Sequence, residues 1–155
     1  MLFRSDDPGV AGAIAAKVGL SGSAAAAVID DDAAEKMRRA ASGAGVLVDI
    51  QVTALEQLPF DDGAFDVVLV HSARGQLAQL DSAAVTGAVR QWHRVLRRGG
   101  RVVVIEPGQR TGIGALLGGS ATAAATIPAL EAGGFRPVRV VGDLEGLKFT
   151  EGLRP

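Results

Sequence analysis

The chain has no cysteine and no tyrosine, a single tryptophan and five phenylalanines. Without cysteine there is no disulfide, no thiolate metal site and no cysteine nucleophile, and the redox compartment is left open. So few rings leave little surface for stacking bases. The charges almost cancel, at a net −1, which gives no electrostatic footprint for nucleic acid or an anionic membrane. After its one arginine, the opening M-L-F-R-S-D-D-P-G lacks the apolar core of a secretory signal. A cytoplasmic protein is expected.

What is present is apolar and orderly. Nearly half of the 155 residues are hydrophobic, and a chain of this length buries roughly 68–70% of its unfolded surface, enough for one cored domain spanning 1–155. The legible centre runs from Leu58 to Pro107. Phe65 to Val70 is a short apolar run behind the turn Asp61-Asp62-Gly63 and reads as a buried strand. Asp81 or Ser82 then caps a helix with apolar Val85, Val89, Trp92 and Leu96. Arg97 and Arg98 fall in its last turn, and Gly99-Gly100 stops it. Arg101 to Glu106 is a second β-branched run, ended by Pro107. Strand, helix and strand with tight turns predict a βαβ unit with parallel strands.

On either side the pattern continues. Met1 to Arg4 is a stub of strand, Val10 to Val18 a small apolar helix, and Ala24 to Asp30 a weak strand ending in acid. Asp32 and Glu35 have the spacing of a capping box for a helix over Ala33 to Ala41, and Gly43 to Gly45 closes it. Gly45 to Val52 is the next strand. Residues 111–130 carry no charge. That is the length of a membrane span, but the glycines and Pro128 favour a loop followed by a helix from about Thr126 to Ala132, with Pro128 in its first turn and Gly133-Gly134 after it. Phe135 to Val141 and Leu147 to Leu153 are closing strands joined at Gly142-Asp143. The sum is a doubly wound α/β domain, mostly parallel, with an antiparallel edge.

Leu58-Pro59-Phe60, Phe65-Asp66-Val67-Val68, Arg94-Val95-Leu96 with Gly99-Gly100, and Ala132-Gly133-Gly134-Phe135 together resemble the class I S-adenosylmethionine-dependent methyltransferases of the small-molecule type. The resemblance covers essentially the whole chain. It implies a Rossmann-like seven-stranded sheet whose last strand is inserted antiparallel, with S-adenosylmethionine at the carboxyl ends of the strands. It also implies lid helices ahead of the first strand, which this sequence does not show, so an unlidded site is expected. The cofactor loop after the first strand would be glycine-rich so that backbone can approach the ligand. Here it reads Leu2 to Gly9, and only Gly9 matches, with Ser5 and Asp7 replacing glycines and Phe3 standing where the family carries an acid. Asp30, or Asp31 one residue on, matches the acid that accepts the ribose hydroxyls. Thr53, followed by Ala54, stands where the family has an aspartate that reads adenine. His71 and Ser72 match the segment lining the pocket.

The other readings of these residues are simpler. His71 is a general base or a polar strand end. His93 beside Trp92 is structural. Asp30, Asp31, Asp32 and Glu35 are hard oxygen ligands for a metal or, more cheaply, helix caps and one ribose acid. Arg97 to Arg101 is an arginine–glycine tract or a solvated turn. Two functions stay open. In one, the chain is an enzyme transferring a methyl group to a small molecule, with His71 taking a proton. In the other, it is a non-catalytic scaffold with a decayed cofactor site, contacting a protein partner or a second copy through 111–130, where Leu116 and Leu117 are the test positions. No G-x-G-x-x-G follows the first strand, which sets a dinucleotide dehydrogenase aside.

Overall fold

In the computed structural model the strands are β1 (Leu2–Arg4), β2 (Ala25–Val28), β3 (Asp49–Val52), β4 (Phe65–His71), β5 (Leu96–Pro107), β6 (Val138–Leu144) and β7 (Leu147–Leu153). The helices are α1 (Asp31–Gly43), α2 (Ser82–Val95) and α3 (Ala123–Ala132). The structure describes residues 2–4, 16–18, 22–108 and 123–155. Ser5 to Gly9 of the cofactor loop, most of the expected helix Val10 to Val18, and Leu116 and Leu117 lie outside them.

The strands form one sheet in the order β3-β2-β1-β4-β5-β7-β6. Strands β1 to β5 pair in parallel, while β7 runs antiparallel between β5 and β6. The antiparallel strand is therefore internal, not an edge. Helix α1 packs on one face through Ala34 and Met37, against Ala26 and Val28 of β2. Helices α2 and α3 cover the other face, where Trp92, Leu130 and Phe135 meet Val68, Val70, Val102 and Val104. The expected α/β class with helices on both faces is what forms. The larger core lies on the second face, where Trp92 is 3% and Phe135 0% exposed. Burying such a side chain contributes roughly 1.5–3 kcal/mol.

Four local expectations are corrected. Helix α1 is capped by Asp30, whose Oδ1 accepts from Ala33 N at 2.7 Å, rather than by Asp32. Helix α2, capped by Asp81, stops at Val95, so Arg97 and Arg98 are not in its last turn. Its final carbonyls need no glycine stop, because Gly63 N donates to the Arg94 carbonyl at 2.9 Å and Arg154 donates to those of Arg94 and Leu96. Leu96, fully buried, already pairs with Phe65, and Arg97 to Gly100 form a bulge before pairing resumes at Val67 and Arg101.

Helix α3 begins at Ala123, three residues earlier than expected, and Pro128 is interior. An interior proline costs about 3 kcal/mol, offset here by the complete burial of Leu130 and of the Phe135 that follows. Finally, the β6–β7 turn is Glu145-Gly146, both with positive φ, not Gly142-Asp143. That is the backbone a two-residue hairpin favours, and Gly142 instead sits in a bulge against Phe149.

The expected stop of α3 does form: Gly134 N donates to the Glu131 carbonyl and Phe135 N to that of Leu130, with Gly134 at positive φ. Just before it, Gly133 lets α3 cross α2 closely. A Cβ there would lie 2.2 Å from Val89 Cγ1. Gly133→Ala is expected to destabilise the protein by about 1–3 kcal/mol, as overpacking does, read as a lower urea midpoint. An unchanged midpoint would mean that α3 does not approach α2 this closely.

Candidate functional site

Because β1 to β5 are parallel, their carboxyl ends fall on one edge of the sheet. Val28 pairs with Val52, Arg4 with Val70 and His71 with Ile105. Asp30, Thr53 and Ser72, each just past its strand, therefore share that edge, with β1 between the first two and the third. In open α/β sheets such an edge is where ligands sit.

The side chains on this edge are largely engaged with their own backbone. Asp30 is exposed, with one carboxylate oxygen committed to capping α1. Asp31, also exposed, opens the helix. The Thr53 hydroxyl donates to the Gln57 carbonyl at 2.6 Å, folding the β3–β4 connection back on itself, and Ala54 beside it has no polar side-chain atom. Ser72 is buried, and its Oγ accepts from Leu77 N at 2.9 Å, pinning a 3-10 turn over Gln76–Gln79. His71 is half-buried at the end of β4. Beside Asp30, the apolar side chains of Ile29 and Val52 remain exposed.

The remaining candidates have local partners. Asp32 pairs with Lys36, whose ammonium this hydrogen bond and charge hold above its ordinary pKa. Glu35 pairs with Arg38 and Arg39. Among the described residues no three His, Asp or Glu groups stand together as a metal site would require. In the arginine tract, Arg97 pairs with Asp66 and Arg101 with Glu151, and the Arg97 hydrogen bond and charge hold the Asp66 carboxyl below its ordinary value. His93 stacks edge-on to Phe135 with centroids 5.2 Å apart. Burial, then the nearby Arg154 charge, push its pKa down, so its imidazole is neutral near pH 7.

Sequence reasoning missed Glu106. It reads there as the last residue of a strand, yet it is 0% exposed. Its Oε2 accepts from the Thr126 hydroxyl of α3 at 2.7 Å, and its Oε1 lies 3.4 Å from Lys148 Nζ on β7. An acid closing a β-branched run was the available signal, but its partners lie 20 and 42 residues further along the chain. Near this cluster, between α2, α3 and the 3-10 turn, is a cavity of about 420 Å³ whose lining includes Leu77, Val89, Trp92, Thr126 and Leu130.

Comparison with known proteins sets this arrangement in context. A family described as methyltransferase domain matches residues 7–104, more than half of the chain. No curated protein matches. Among solved structures, a SAM-dependent methyltransferase from Aquifex aeolicus is 14% identical at a TM-score of 0.75, covering 95% of this chain and 79% of its own. The structure of PigF with SAH is 18% identical at a TM-score of 0.75, covering 98% of this chain and 49% of its own. The cyclase SpnF is 22% identical at a TM-score of 0.62, covering 83% of this chain and 49% of its own. The chain thus spans about half the length of the PigF and SpnF chains. At these identities the likeness concerns the fold, and a cyclase beside methyltransferases illustrates that one fold carries several chemistries.

Proposed function

The chain belongs to the methyltransferase-domain family, and from that premise we propose that it is a member whose S-adenosylmethionine site has decayed, acting as a non-catalytic binding or scaffold subunit, in the cytoplasm. One observation carries the reading: the polar side chains at the strand ends are engaged within the protein. Thr53 turns its hydroxyl to Gln57, Ser72 turns its to Leu77, Asp30 caps α1, and Ala54 offers no acceptor. A ligand arriving there meets few unspent hydrogen-bonding groups, and each missing polar contact costs on the order of 1 kcal/mol. By the family resemblance, Ser5 and Asp7 stand where glycines would leave room for backbone to approach the ligand. A partner surface in 111–130, for another protein or a second copy, belongs to this proposal.

A second reading has its own observation. Asp30 keeps an exposed carboxylate at the end of β2, with the apolar surface of Ile29 and Val52 beside it, which suits a ribose next to a flat base. When bound, the cofactor supplies an electrophilic methyl group for in-line displacement, a reaction that depends mainly on positioning. On this reading Asp30 orients the ribose, Thr53, Ala54 and Ser72 line the pocket, and His71 takes a proton from a small-molecule acceptor.

Titration calorimetry with S-adenosylmethionine and its demethylated product separates the two. Decay predicts no saturable heat up to millimolar ligand from folded protein. Micromolar binding, roughly −8 kcal/mol, lost in Asp30→Ala, would overturn it in favour of the second reading.

A further inference from the structure

We propose that the cavity between α2 and α3 is a binding site for a small, neutral, mostly apolar molecule carrying one hydroxyl donor. This is independent of the reading above, since the cavity lies between α2, α3 and the 3-10 turn and its binding is measured without cofactor.

The size comes first. Protein interiors hold few voids larger than a water molecule, whereas ligand pockets run from about 300 to 1,000 Å³ and are mostly apolar with a few placed polar groups. At about 420 Å³ this cavity belongs with the latter. Its walls are Leu77, Val85, Val89, Trp92 and Leu130, and it opens to solvent past the exposed Ala78, Ser82 and Ala125. Small residues at the mouth and Ala129 on the wall keep the space clear.

The chemistry follows from Thr126. It is 5% exposed, lines the cavity, and donates its one hydroxyl proton to Glu106 Oε2 at 2.7 Å. With the proton committed, the hydroxyl oxygen can only accept, and a carboxylate at the far end of the bond makes it a stronger acceptor. The buried wall therefore offers an acceptor to a ligand's donor, while the other two lining hydroxyls, Ser82 and Thr86, belong to exposed residues. Among the described residues that line it, none has a charged side chain, so none of them offsets the cost of desolvating an ionised ligand. Glu106 supports this from behind, buried and held by Lys148.

Trp92, the only tryptophan in the chain, lines the cavity and is a built-in reporter. Menthol and its methyl ether are suitable probes, because neither absorbs where tryptophan is excited and the ether lacks only the donor. Menthol is expected to change Trp92 emission saturably below millimolar concentration, with the ether at least fivefold weaker. Ala129→Phe, which fills the space, should abolish the response. So should Ala125→Phe, an exposed position at the mouth whose substitution leaves the core intact. Thr126→Val should bring menthol and ether to equal affinity. No saturable response to menthol, equal affinity of the two probes for the unmodified protein, or an unchanged response in folded Ala129→Phe and Ala125→Phe would each overturn the proposal.

Discussion

Arg94→Ala is expected to lower stability by about 2–4 kcal/mol, a large part of the 5–15 kcal/mol typical of a domain. The guanidinium is only 31% exposed and bridges two segments of the chain. Its Nη1 donates to the Phe60 carbonyl and to Asp62 Oδ1, each at 2.7 Å. Its Nη2 donates to the Leu58 carbonyl at 2.9 Å, and Gln91 Oε1 accepts from both Nη2 and Nε. These bonds fasten the β3–β4 connection, where Leu58 is buried, onto α2. Alanine strands two carbonyls and an amide oxygen in a half-buried place, at about 1–3 kcal/mol for each group left unsatisfied, not fully additive. The ion pair to Asp62 is a minor part, since that carboxylate is 77% exposed and such pairs contribute up to about 1 kcal/mol.

Controls apportion the effect. Asp62→Ala should cost less than about 1 kcal/mol. Arg94→Lys should recover little, because an ammonium cannot serve two carbonyls and Gln91 with the geometry of a planar fork. Arg94→Met keeps the apolar stem and should stay close to alanine if hydrogen bonds dominate. Urea unfolding followed at Trp92 gives the free energies. If Arg94→Ala cost under 1 kcal/mol, the connection would be held by Leu55 and Leu58 packing alone.

How much of this was readable in advance varies with the range of the interaction concerned. The strand at Phe65 and the cap at Asp81 were legible because their signals are local: an apolar run, and an Asx residue three positions before the N–H it accepts from. The stop of α3 at Gly134 was legible for the same reason. The cap of α1 was misplaced by two residues because four acids stand near that turn, and only the backbone, extended at Asp30, decides which one caps. The end of α2 was missed because its carbonyls are satisfied by Gly63 and Arg154, 31 and 60 residues from Arg94. At the candidate site, the positions of Asp30, Thr53 and Ser72 along one edge followed from strand order. The direction of their side chains did not, since the hydroxyls of Thr53 and Ser72 turn to carbonyl and amide groups that any residue supplies. Glu106 had the weakest signal of all, because its role exists only where β5, β7 and α3 meet.

At that meeting point the two partners of one ion pair are expected to respond unequally to substitution. Lys148→Met should cost about 3–5 kcal/mol, because it removes the one cation paired with this carboxylate among the described residues, and the carboxylate has no solvent exposure. Glu106→Gln should cost less, about 1–2 kcal/mol, for two reasons. The amide oxygen still accepts from Thr126, losing mainly the charge assistance of that bond. Lys148 is 13% exposed, and a long flexible stem lets an abandoned ammonium reach toward water. The double variant Glu106→Gln with Lys148→Met has no charge left at this buried contact and should be more stable than Lys148→Met alone, giving a favourable coupling of a few kcal/mol in a double-mutant cycle. Urea unfolding of the four proteins at one pH supplies it. Equal, small losses for both single variants would mean that water reaches the carboxylate, and that Glu106 belongs to the rim of the sheet rather than to its interior.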